Sequence, residues 1–262
     1  MKSFKHSGNI GDIIYSLPTL KALGGGNLHL LLNQPTGYYP GAEHPLGNVL
    51  LNEDMYNRIV PLLEHQNYIK KVKKIDLSKP ITEDIFIDYD LDVFRKMPIN
   101  FQAGSISRWY FYVFNVYPDL SEPWITVEPN YEYKDYIIVN RTSRYRNTQI
   151  NGGINYNFLS KYQNIIFTGV ESEYNEFKIF VPNSQFLQTD NFLQLAQHIA
   201  GCKAFIGNAS FCFSLAEAIK MKRVLEICPF ASGVIPYGKG AYDFYLQPHF
   251  ESIVGKIQDG IY

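Results

Sequence analysis

The stretch Ser7 to Pro18 constrains this chain most, because a turn containing Gly8 and Gly11 joins a short strand to a helix. The strand covers Lys2 to Lys5, and the helix is marked by apolar Ile13, Leu17, Leu20 and Leu23 at helical spacing. Gly8 and Gly11 leave room for a ligand to approach the backbone of the turn, with Asn9 between them. Asp12 therefore stands at a helix start, facing whatever binds in the crevice beyond the strand end. Asp is also a favoured N-cap that satisfies free backbone N–H groups and complements the helix dipole. This segment alone leaves both readings open.

Gly24, Gly25 and Gly26 stop the helix, and Leu28 to Leu32 reads as a buried parallel strand, which completes a β-α-β unit. A long Pro-, Gly- and Tyr-containing loop is predicted from Asn33 to Gly47. Met55 to His65 suits a helix, Tyr68 to Ile75 a strand with exposed lysines, Asp84 to Asp88 a buried strand, and Ile106 to Val116 an aromatic helix. Asp88 and Asp90 have the spacing to hold Mg²⁺ or Mn²⁺ against a diphosphate, and equally that of a solvated strand-end turn. His29, His44 and His65 are isolated and read as structural or solvated.

Ser121 to Lys134, with Pro123 and Pro129, separates two α/β halves, placed at residues 1–125 and 135–262. The second half opens with a strand from Tyr136 to Asn140 that runs into Arg141, Arg144 and Arg146. Arginine forks match phosphate oxygens, and an exposed basic loop is the competing reading. A helix follows at Phe158 to Tyr162, then strands at Asn164 to Gly169 and Phe177 to Val181 on either side of an acidic segment. A helix over Phe192 to Ala200 precedes the strand Lys203 to Asn208, the helix Ala209 to Ile219 and the strand Arg223 to Ile227. Gly207, Asn208, Ala209 and Ser210 form a second tight turn at a helix start, a place suited to a diphosphate. Two turns along that helix, Glu217 is placed to accept hydrogen bonds from ribose hydroxyls, or else to lie on an exposed helix surface.

The net charge of −1 gives no bulk basicity that would argue for nucleic acid. The aromatic excess of 15% suits sugars, bases and protein interfaces alike. Cys202, Cys212 and Cys228 are spaced for neither a zinc knuckle nor a disulfide framework and read as free thiols in a reducing compartment. With no signal-like segment and no apolar run long enough to span a membrane, the expectation is a cytoplasmic protein.

Gly8, Asn9, Ile10, Gly11 and Asp12 with Leu17, Pro18, Leu20, Lys21, Ala22 and Leu23 resemble the opening of the heptosyltransferase-like glycosyltransferases, glycosyltransferase family 9. Ile206, Gly207, Asn208, Ser210, Leu215, Ala216 and Ile219, with Val224 and Pro229, resemble that family's donor motif. The resemblance implies a GT-B architecture: two Rossmann-like, doubly wound α/β domains with parallel sheets facing across a cleft, the last helix packing back on the N-terminal one. It further implies an inverting, metal-independent transferase with no cofactor and a nucleoside-diphosphate sugar as co-substrate. Asp12 would be the catalytic base, Gly8, Asn9 and Gly11 the acceptor-side turn. The donor side would comprise Arg141, Arg144, Arg146, Gly169, Gly207, Asn208, Ala209, Ser210 and Glu217. The acceptor is open: a glycan, a lipid-linked glycan, a protein or a modified nucleic acid. Ala209, Phe211 and Ser214 depart from the family's Asp, Gly and His, which argues against an ADP-heptose pocket. A metal-dependent GT-A transferase using Asp88 and Asp90, a UDP-sugar epimerase or hydrolase, and an inactive nucleotide-sugar-binding protein are the alternative readings.

Overall fold

A computed structural model describes residues 1–36, 47–80, 85–100, 104–148 and 153–262. The first sheet contains β1 (Ser3–His6), β2 (Gly26–Leu32), β3 (Ile69–Asp76) and β4 (Tyr89–Asp90), parallel and ordered β3-β2-β1-β4. Its helices are α1 (Ile10–Ala22), α2 (Glu53–Glu64) and α3 (Ile106–Phe114). The second sheet contains β5 (Ile137–Asn140), β6 (Ile165–Thr168), β7 (Gln185–Leu187), β8 (Ala204–Gly207), β9 (Arg223–Glu226) and β10 (Ala241–Phe244). These run in the order β10-β9-β8-β5-β6-β7, again parallel throughout. The accompanying helices are α4 (Glu171–Phe180), α5 (Phe192–Gly201), α6 (Phe211–Ile219) and α7 (Gln247–Gln258). In each sheet the strand order reverses once, beside β1 against β4 and β5 against β8. Ligands of such sheets bind beyond the strand ends at those reversals. The α/β expectation of two doubly wound parallel sheets is therefore met.

The central strands of the second sheet read as unbroken apolar runs because both faces are covered. Ile137, Ile165, Ala204 and Val224 turn to one core, whereas Ile138, Ile166, Phe205 and Leu225 turn to the other, as a period of two requires. The second of these cores is continuous with that of the first half, because α1 packs on α6 and α2 on α5. The two sheets are thus held by an apolar interface at one end, and their strand ends open on a common cleft.

Proline 18 lies inside α1 and lacks the N–H that would bond the carbonyl four residues earlier. The indole N–H of Trp124, in the connecting segment, donates to that carbonyl of Ile14 at 3.0 Å. The Trp124 backbone N–H also donates to Ala218 O at 3.0 Å, at the end of α6. One connecting residue therefore pins a helix from each half.

Several expected elements differ. Residues 177–180 belong to a helix, not a strand, and Val181 is its C-cap: buried Glu173 and Phe177 fall on one helical face, and Glu171 and Glu173 occupy a first turn where acidic groups complement the dipole. The helix expected at 158–162 is a 3₁₀ turn, Asn157–Lys161. Of the expected strand from 84 to 88, residue 84 lies outside the described residues, and the pairing with β1 falls at Tyr89–Asp90. Most of the long loop from 33 to 47, His44 included, also lies outside them. The last helix, α7, does not return to the first half: Phe250, Ile253, Val254 and Ile257 pack on the second sheet, with the Phe250 ring stacked on Phe244 at 4.0 Å.

Candidate active site

A cavity of about 880 Å³ lies between the carboxyl ends of the two sheets. The start of α1, from Asn9 to Asp12, forms one wall, and the start of α6, from Ala209 to Cys212, faces it with Asn140, Thr168 and Gly169 alongside. Two helix N-termini, each with unpaired backbone N–H groups and a positive dipole end, therefore bound the same space.

Asp12 is the third residue of α1, and Asn9 occupies the N-cap position. The capping role is thus not Asp12's. Its Oδ2 instead accepts from Arg95 Nη2 at 2.5 Å. Arg95 lies in the 3₁₀ turn Val93–Lys96 that follows β4, so the residue comes from the reversal point of the first sheet. Behind Asp12 runs a buried chain of hydrogen bonds. Gly8 N–H donates to His6 Nδ1 at 2.9 Å, which leaves the ring proton on Nε2 to meet Tyr110 Oη at 2.8 Å. The Tyr110 hydroxyl in turn donates to the Asp12 backbone carbonyl at 3.4 Å. Burial lowers the His6 pKa and keeps the imidazole neutral, as this chain requires. A Cβ at Gly8 would stand 2.7 Å from His6 Cε1, so glycine is needed here for space rather than for dihedral freedom.

Three further residues of the cavity wall were not singled out from the sequence. Tyr15, one turn after Asp12, is buried with no partner for its hydroxyl among the described residues; burial raises its pKa well above the usual phenol range and keeps it a donor. Glu173 at the start of α4 accepts from Ser143 N–H at 3.3 Å, and burial raises its pKa. Arg58 reaches in from α2.

No protein-family model and no curated protein matches this sequence. Solved structures do. E. coli ADP-heptose LPS heptosyltransferase II superposes with a TM-score of 0.64 at 12% identity over 100% of both chains. E. coli heptosyltransferase WaaC, solved with ADP, gives 0.62 at 11% identity, covering 98% of this chain and 100% of that one. A glycosyl transferase family 9 protein from Veillonella parvula gives 0.60 at 12% identity, over 98% and 88% respectively. The fold is that of the family 9 glycosyltransferases.

Within this GT-B fold the expected residues divide sharply. Asp12, Asn9, Gly11, Arg144, Gly169, Ala209 and Ser210 come together on the cavity wall. Ser210 caps α6, its hydroxyl accepting from Phe213 N–H at 3.2 Å. Gly8 sits behind Asp12. Gly207 and Asn208 stand behind the second wall: a Cβ at Gly207 would lie 2.9 Å from Asn140 O. Fully buried Asn208 holds the neighbouring loop, accepting from Thr142 N–H at 3.0 Å and donating to Thr142 O at 3.1 Å and Arg144 O at 2.7 Å.

Three expected donor residues point elsewhere. Arg141 forks onto buried Glu226 at 2.8 and 2.9 Å and stacks on Tyr156. Arg146 pairs with Glu176 and donates to Thr142 O at 2.8 Å. Glu217 is neither exposed nor on the cavity wall: it is 1% exposed, ion-paired with Arg223 and Lys220, and accepts from Tyr237 N–H at 3.1 Å. A buried carboxylate requires such partners, and β9 supplies the arginine. Asp88 and Asp90 are also occupied. Asp88 accepts from Ser3 N–H at 2.7 Å, and Asp90 pairs with Lys5 at 2.7 Å while accepting from Asp92 N–H at 3.0 Å. They read as the strand-end turn. Cys202, Cys212 and Cys228 are free thiols. Among the described residues no helix is long and apolar enough to cross a membrane.

Proposed function

We propose that this chain transfers a glycosyl group from a nucleoside-diphosphate sugar to an acceptor hydroxyl with inversion, without a metal, using Asp12 as general base. The observation that carries this reading is Asp12 itself: one carboxylate oxygen is held by Arg95, and the residue stands on the cleft wall opposite the start of α6. The solved likenesses, one holding ADP, support the same reading. The acceptor binds on the side of residues 1–125 and the nucleotide sugar on the side of residues 135–262. A cytoplasmic setting suits the three free thiols.

In a single displacement the acceptor oxygen attacks the anomeric carbon while the bond from that carbon to the diphosphate breaks. The hydroxyl proton passes to the Asp12 oxygen not engaged by Arg95, and the bonding pair leaves with the diphosphate. Attack from the face opposite the leaving group inverts the configuration. Arg95 and the His6–Tyr110 chain fix the carboxylate and its backbone, so their contribution is orientation. Charge developing on the leaving diphosphate is met by Arg144 and the N–H groups that open α6.

Asp12→Asn removes the base and keeps the shape. Turnover with a panel of nucleotide sugars and acceptors is expected to fall by about 10²–10⁴-fold, with nucleoside-diphosphate affinity nearly unchanged by calorimetry and turnover insensitive to EDTA. Retained transfer or lost nucleotide binding in this variant refutes the role of Asp12, and restoration of EDTA-treated enzyme by Mn²⁺ refutes metal independence.

A further inference from the structure

Arg58, Arg95 and Arg144 are the arginines on the cavity wall among the described residues. Arg95 is paired there with Asp12 and Asp92, while away from the wall Arg141 is paired with Glu226, Arg146 with Glu176 and Arg223 with Glu217. Arg58 lines the same cavity, half-buried, and makes no ion pair among the described residues. Asp54, one helical turn earlier, shares the wall without pairing to it. A guanidinium has five N–H donors. Here one hydrogen bond is formed, from Nη2 to Thr189 O at 3.1 Å, and the buried Nε has no acceptor among the described residues.

The side chain is nevertheless fixed in place. Its guanidinium lies 4.6 Å from the centroid of Phe192, and the Phe192 ring packs at 4.4 Å on Phe211, the first residue of α6. Arg58 thus reaches from α2 in the first half to the opening of α6 in the second, where backbone N–H groups favour an anion. A fixed cation with unused donors in a cavity costs desolvation unless a ligand supplies negative charge.

We infer that Arg58 is an oxyanion-binding residue of the cleft, gripping a phosphoryl or carboxylate group of a substrate. This rests on the transferase reading only for the source of the anion, which is either the diphosphate of the donor or an anionic substituent of the acceptor.

The test is calorimetry on the intact chain with ADP, UDP, GDP and CDP, pyrophosphate and inorganic phosphate, comparing wild type with Arg58→Gln and Arg58→Met, two neutral variants that pack differently. Pyrophosphate binding is expected to weaken about tenfold or more in both. If the nucleoside diphosphate that the wild type binds weakens in parallel, the anion is the donor diphosphate. If that nucleotide's affinity holds while phosphate binding to the nucleotide-saturated protein disappears, the anion belongs to the acceptor. A wild type that binds pyrophosphate through Arg58 but no nucleoside diphosphate keeps the subsite and removes the transferase reading. Unchanged pyrophosphate and phosphate binding in the variants, or none in the wild type, overturns the inference. Should both variants melt below the assay temperature, the ¹⁵Nε resonance of Arg58 in the wild type decides: it is expected to shift on adding pyrophosphate, and an unmoved resonance overturns the inference.

Discussion

The turns that open α1 and α6 share a strand, a glycine and an asparagine, yet they present opposite things to the cleft. At the third helical position the first has Asp12, which reaches the cavity, and the second has Phe213, which is fully buried. At the N-cap, Asn9 makes no side-chain cap bond, whereas Ser210 closes on Phe213 N–H. The asparagine of the second turn is buried and spends its side chain on the loop of Thr142 and Arg144. One turn therefore offers a carboxylate to the cleft and the other a braced backbone. Gly and Asn specify the shape of such a turn, and its chemistry is set by which neighbours reach the third residue.

The strongest way to break this contrast is to remove Glu217, the carboxylate two turns along α6. As a buried partner of Arg223 and Lys220 it should act on stability. Glu217→Ala is expected to lower unfolding free energy by about 3–5 kcal/mol in denaturant titrations, while nucleoside-diphosphate affinity measured well below the melting point stays near wild type. A variant of normal stability that has lost nucleotide binding would make the second turn a side-chain site like the first.

The first turn is sharpened by acid. The folded-state pKa of His6 lies below its ordinary value of 6.5 because of burial, so below pH 6.5 the unfolded chain binds a proton that the folded chain refuses. Stability then rises with pH up to that value and is lost as pH falls through it. His6→Asn should flatten the acid limb of the stability profile relative to wild type. Identical limbs would show that His6 is not held neutral by the fold.

Much of this contrast was legible in advance. Periodicity separated the central parallel strands from the helices, because strands covered on both faces must be apolar at every position, though it misread 177–181, and the two turns stood out through their glycines. What the sequence hid depends on pairing across distance. Arg95 follows an acidic run read only for its carboxylates, and nothing local marks it as the partner of a residue 83 positions earlier. Arg141 and Arg146 looked available because Glu226 and Glu176 lie 85 and 30 residues away. Glu217 read as a ribose-binding carboxylate, with an exposed helix surface as the competing reading, whereas β9 brings Arg223 against it. A charge can be read from sequence, but whether it is already neutralised cannot.

The smallest expected effect concerns the joint between the two regions. Trp124 donates its indole N–H to the Ile14 carbonyl, which Pro18 leaves without a helical donor. Trp124→Phe keeps most of the ring volume and strands a buried acceptor, at a cost of about 1–2 kcal/mol. Pro18→Ala restores a backbone N–H that can bond Ile14 directly, so in that background Trp124→Phe should cost about 1 kcal/mol less. A double-mutant cycle from urea denaturation measures the difference. Strict additivity would mean that the indole merely packs between α1 and α6; coupling would show that a proline inside α1 creates the acceptor by which the connecting segment holds it against the second half.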